Sequence, residues 1–193
     1  MNVDKVILRA VWSTLAAIGV LLVFIVGGLC AFFPSTSMQI TYDMGMENSC
    51  IHFAQRAYKG SHEIYYIAYA TEVAIEDDKT DKIAACGEQF ITDENFEEYC
   101  DQKGEEYKRF IYGQVCISKY DKGEKEESVA LAVASLEGGF PEGNAVVAVL
   151  LKALQAKDGA TVALIEQKLV ELQAQIGANA YLEKTLNYIQ LNR

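Results

Sequence analysis

Hydrophobic positions along the chain fall into one long unbroken run followed by a series of short helical stripes. The run is Ala10 to Phe33, 24 residues without a charge, preceded by Lys5 and Arg9 and followed by Pro34. As a helix it is about 36 Å long, more than the ~30 Å hydrocarbon core of a bilayer. We expect a membrane-spanning helix over residues 10–33, with residues 1–9 as a short tail before it.

After Pro34, residues 34–44 read as a connector, a brief extended piece or a turn or two of helix. From Gly45 onward, apolar residues recur at three- and four-residue intervals between polar or glycine turns, the signature of amphipathic helices. Met46, Cys50, Phe53, Ala54, Ala57 and Tyr58 mark the first helix, and Gly60 at a C′ position with Ser61 as the next cap suits its end. Ile64, Ile67, Ala68, Thr71 and Ala74 or Ile75 mark the next. Ile83, Gly87, Phe90 and Ile91 mark a helix over 80–91, and Phe96, Tyr99 and Cys100 a short inserted one ended by Gly104. Tyr107, Phe110, Ile111, Gln114, Val115 and Ile117 line a longer helix over 105–120, and a helix over 124–136 returns from the turn at Asp121-Lys122-Gly123. Gly138-Gly139-Phe140-Pro141 punctuates the chain. Val147, Leu150, Leu151 and Leu154 then share a side of a helix over 144–156. Val162, Ile165, Leu169, Leu172 and Ile176 keep a 3-4 spacing over too few heptads for a coiled coil. Leu182, Leu186 and Ile189 mark a last helix over 178–191. The expected fold class is all-α, with residues 45–193 as one helical-hairpin domain.

The residues that open each return helix, Gly45, Asp78, Gly123 and Asp158, are spaced by 33, 45 and 35 positions, the longest interval holding the insertion. That is a helical-hairpin period. Gly45, Cys50, Ala54 and Ala57 align with Gly123, Ser128, Ala132 and Ser135, small residues where close helix approach leaves little room. This pattern resembles the second helix of a tetratricopeptide repeat (TPR) over roughly residues 42–176. The family's first-helix Trp, Leu, Gly and Tyr set is absent, so the resemblance is one of architecture. It implies an α-solenoid with a concave protein-binding groove.

Orientation and redox setting follow from flanking charge and cysteine count. Basic residues flank the run on its N-terminal side, and the next one after Phe33 is Arg56, so the N-terminus is expected in the cytoplasm and the repeat domain outside it, at a bacterial plasma membrane or a lumenal or extracellular face. Cleavage as a signal peptide at Ser35-Thr36-Ser37 is the competing reading, disfavoured by a run longer than the ~7–15 residues of a signal core. Cys30 does not sit in the small-residue setting of a lipoprotein signal. Cys50, Cys86, Cys100 and Cys116 could oxidise in an exported domain or remain buried thiols, and both readings stay open.

Charge and motifs narrow the function classes. The whole chain carries a formal net charge of −10, which disfavours nucleic acid and anionic lipid as ligands. No phosphate loop, GxSxG elbow, HExxH or CxxC spacing is present, and His52 and His62 form no metal-ligand pair. No cofactor, metal or catalytic residue is therefore expected, and the chain is not expected to be an enzyme. The Glu76-Asp77-Asp78-Lys79 turn lacks the ligand spacing of a calcium loop. The expected function is a membrane-anchored helical-repeat interaction module, an assembly factor, secretion helper or scaffold subunit of an envelope or membrane complex. The alternative is an accessory subunit held mainly through its span. Candidate protein-binding residues are Tyr65, Tyr66, Tyr69, Tyr112 and the neighbouring Glu72, with inter-helix packing as the competing role of the tyrosines. The partner is a protein or peptide of unspecified identity.

Overall fold

The computed structural model describes residues 3–136, 139 and 144–192, and among them every regular element is an α-helix. In chain order these are α1 (Val3–Phe32), α2 (Pro34–Asp43), α3 (Glu47–Ser61), α4 (Ile64–Glu76), α5 (Thr80–Ile91), α6 (Phe96–Lys103), α7 (Glu105–Asp121), α8 (Lys125–Ala134), α9 (Ala145–Gln155), α10 (Gly159–Ile176) and α11 (Ala180–Asn192). Contacts divide the chain into two compact units, Met1–Tyr66 and Ile67–Arg193.

In the first unit, α1 contains an uncharged stretch, Val11–Gly28, long and apolar enough to cross a membrane, and none of it is buried by the rest of the chain. Phe33 then leaves helical geometry (φ −130°, ψ 67°) and Pro34 starts α2. Proline costs nothing at this first position, where its missing N–H would have no helical partner. The expected connector is thus a ten-residue helix. It buries Ser37, Met38 and Thr41 and packs along α3 as the leading arm of a hairpin. The expected stop at Gly60 does not occur. Helix α3 runs through Gly60 to Ser61, and the left-handed residue after it is His62 (φ 57°). Ser61 Oγ accepts the Glu63 N–H at 3.2 Å, a cap one turn before α4 settles.

Four hairpin turns share one backbone geometry. The left-handed residues are Gly45, Asp78, Gly123 and Lys157. Each donates its N–H to the carbonyl three residues back, at 2.9 Å for Gly45 to Tyr42 and 3.1 Å for Lys157 to Leu154. The next residue donates five back, as in Met46 to Thr41, Lys79 to Ala74, Glu124 to Lys119 and Asp158 to Ala153, at 2.8–2.9 Å. These paired bonds are those of a Schellman ending. The turn residue of the last hairpin is Lys157 rather than Asp158, so the spacings are 33, 45 and 34. In this frame equivalent positions are buried in every hairpin: Ser37, Ala70, Val115 and Val149 eight residues before the turn, and Cys50, Ile83, Ser128 and Val162 five after it.

In the second unit, α7 lies against α5, α6, α8 and α9, while α10 packs on α8, α9 and α11. Gly87 of α5 permits close packing on α7, since a Cβ there would lie 2.1 Å from Val115 Cγ2. The inserted α6 fills its place with aromatic rings. Phe90 meets Phe96 at 5.0 Å and Tyr99 at 5.5 Å edge to face, a favoured arrangement. A second core, centred on Val129, Val149, Leu150, Ile165, Leu169 and Leu182, unites α7 to α11.

Several inward assignments shift by part of a turn. Phe110 and Leu151 are exposed, and α9 buries Ala145, Val146, Val149, Leu150 and Ala153 instead of the Val147 and Leu154 side. Ile176 is exposed at the end of α10. The expected punctuation at Gly138, Phe140 and Pro141 falls outside the described residues.

Candidate functional site

The proposed binding residues occupy different surroundings. Tyr65 is exposed and meets Tyr66 edge to face at 5.5 Å, both in the first unit. Tyr69, Glu72 and Tyr112 belong to the second unit and are half-buried. Glu72 accepts a hydrogen bond from the Tyr107 hydroxyl at 2.7 Å, and the Tyr112 ring stands 5.7 Å from Phe96. Burial, together with that bond to Glu72, raises the Tyr107 phenol far above its ordinary range, so it stays a neutral donor. Lys103 lies over both the Tyr99 and Tyr107 rings, at 5.6 and 5.9 Å. Glu72 and Tyr112 are accordingly engaged in packing within their unit.

The polar groups at the hairpin turns are likewise engaged with one another. Asp158 caps α10 by accepting from Thr161 N (3.2 Å) and Thr161 Oγ1 (2.7 Å), and also receives Lys125 Nζ (2.6 Å) and the Tyr120 hydroxyl (3.1 Å). Lys125 first, then Thr161 and Tyr120, hold its carboxyl well below the usual range. Lys119, only 4% exposed, reaches Glu88 at 3.0 Å and Glu124 at 3.2 Å. Burial would lower its pKa, but those hydrogen bonds prevail and raise it. Cys50, Cys86, Cys100 and Cys116 are buried free thiols. Burial pushes Cys50 up to about 11 and Cys100 and Cys116 up to about 12, opposite to the shift that makes a thiol reactive. Among the described residues no three His, Cys, Asp or Glu side chains converge as a metal site requires.

A trough between α9 and α11 combines apolar lining with accessibility. Its geometry begins at Asn144, which caps α9 by accepting the Val147 N–H at 3.2 Å and donates Nδ2 to the Tyr181 hydroxyl at 2.5 Å. Asn179 caps α11 in turn, accepting from Tyr181 N at 2.9 Å and Leu182 N at 3.3 Å. Leu182, Thr185 and Ile189 bury one side of α11. The neighbouring side, Tyr181, Lys184, Tyr188 and Leu191 at helical spacing, faces Val147, Leu150 and Leu151 of α9 across the trough. Its volume is about 1130 Å³, above the ~300–1,000 Å³ of small-molecule pockets. Glu183, Lys184 and Asn187 supply polar groups, whereas Leu151, Tyr188 and Leu191 expose apolar surface.

The tyrosine criterion did not single out this trough. Its signal in the sequence is that Ala145–Gln155 is apolar on more than one side, so that packing one face leaves another uncovered. The chain matches no protein-family model, no curated protein and no solved structure.

Proposed function

We propose that this chain is a membrane-anchored, TPR-like interaction module, in which α1 spans the bilayer with its N-terminus in the cytoplasm and the helical hairpins work on the outer side as a short solenoid. The trough between α9 and α11 carries this reading. It suits an α-helical protein segment with one apolar face, because Val147, Leu151, Tyr188 and Leu191 offer a stripe rather than an enclosed cavity. The acidic balance of the chain favours partners with basic flanks. Repetition of one turn geometry, with buried residues at equivalent positions, supports a hairpin-repeat origin for the scaffold. The role is that of an assembly factor, secretion helper or scaffold subunit of an envelope or membrane complex.

Site-specific photo-crosslinkers placed at Leu151, Tyr188 and, as a control, exposed Glu126 of the full chain in native membranes test this. Capture of one partner through a helical segment from Leu151 and Tyr188 but not Glu126 is expected. Capture only from positions in α1 would refute the groove and favour an accessory subunit held by its span.

A further inference from the structure

We propose that α2 and the turn after it form a second membrane contact, a short helix whose exposed apolar edge is seated in the headgroup boundary beside the exit of α1. The inference rests on reading α1 as a span. Helix α2 starts two residues after α1 ends, and ten residues at about 1.5 Å each keep all of it within roughly 15 Å of that exit. The non-helical backbone at Phe33 ends α1, so α2 is a separate helix with its own direction.

Its side chains divide into three sectors. Ser37, Met38 and Thr41 are buried and serve the hairpin with α3. Ile40 and Met44, four residues apart, share an edge of the helix, yet they are 45% and 67% exposed, and Phe33 in the non-helical link before α2 is 56% exposed. Met46, just beyond the turn, is exposed as well. The remaining sector holds the exposed Tyr42 and Gln39, whose Nε2 donates to Asp43 Oδ1 at 3.1 Å. An exposed apolar edge continuous in sequence with Phe32 at the end of α1, in a helix that cannot leave the vicinity of the bilayer, has the lipid boundary as its occupant.

Charge selects the kind of lipid. No Lys or Arg lies between Arg9 and Arg56, whereas Asp43 and Glu47 lie close by. Attraction to anionic headgroups therefore contributes nothing, and the contact is an apolar one with zwitterionic lipid.

The full chain, in a Cys30→Ser background whose other thiols are buried, is labelled through Val20→Cys, Gln39→Cys, Ile40→Cys or Met44→Cys with an environment-sensitive fluorophore. It is then reconstituted in phosphatidylcholine vesicles with chain-brominated lipid as quencher. Labels at Ile40 and Met44 should be quenched several-fold more than the label at Gln39, and replacing half the phosphatidylcholine with phosphatidylglycerol should not strengthen the effect. Quenching at Val20 with none at Ile40 and Met44, or with equal quenching at Gln39, overturns the second contact while leaving the span intact. Absence of quenching at Val20 overturns the span, and the second contact with it.

Discussion

Replacing Gly87 with alanine probes the tight contact between α5 and α7. A methyl group there would sit 2.1 Å from Val115 Cγ2 and 3.3 Å from Val115 Cβ. Two opposing effects follow. In an ordinary helix interior, Gly→Ala stabilises by about 1 kcal/mol through helix propensity. Against this, an inserted methyl in a packed core costs about 1–3 kcal/mol. The cost lies toward the upper end, because Val115 is fully buried and a β-branched side chain in a helix has essentially one χ1 rotamer to use. The net expectation is destabilisation by about 1–2 kcal/mol, a fall of roughly 3–8 °C in melting midpoint. Thermal unfolding of the full chain in detergent micelles, followed by far-ultraviolet circular dichroism, measures it. Val115→Ala removes both offending methyls, so in that background Gly87→Ala should change sign and stabilise by up to about 1 kcal/mol. Stabilisation by Gly87→Ala in the wild-type background, or an unchanged sign in the Val115→Ala background, would refute the geometry.

Other expectations concern charge, thiols and the last two hairpins. Because the Asp158 carboxyl is held below its ordinary value in the folded protein, its contribution is complete above the unfolded pKa of about 4 and is lost as pH falls through the folded one. Asp158→Asn keeps a competent helix cap, so it should lower the melting midpoint at pH 7 and narrow the gap from wild type as pH drops below about 4; a constant gap would count against the Lys125 pairing. Ala132→Leu should overpack the second core and cost about 1–3 kcal/mol, read from a denaturant midpoint. Cys50, Cys86, Cys100 and Cys116 should resist a water-soluble disulfide reagent at pH 8 in the native protein and react together on unfolding, as counted by mass spectrometry. Rapid native labelling of Cys116 would contradict its burial.

Helix existence was legible wherever periodicity and punctuation agreed. The expected helix over 80–91 coincides with α5, and the glycines at 104 and 123 bound α7 to within a residue. The errors have separate causes. Gly60 tolerates helical geometry at a cost of only about 1 kcal/mol, so it did not end α3, and His62 took the left-handed position that sequence rules reserve for glycine. Lys157 did the same in the last hairpin and hid the true frame behind Asp158, a more familiar turn residue. Helix α9 carries apolar residues on two sides, and only the placement of α7, α8 and α10 decides which is buried. The trough depends on that choice, so it could not be read from α9 alone. Tyr112 attracted notice for its type, but its ring is matched by Phe96 of the insertion.

The insertion also bears on fidelity of assembly. Hairpins built on one turn geometry are open to pairing out of step. Helix α6 breaks that equivalence: its Phe96 and Tyr99 are fitted against Phe90 of α5, while the matching positions in the other return helices are Ala57, Ser135 and Leu169. A slipped pairing of α5 would strand two large rings without their edge-to-face partner, so the inserted helix acts as a key for the place of α5 beside α7.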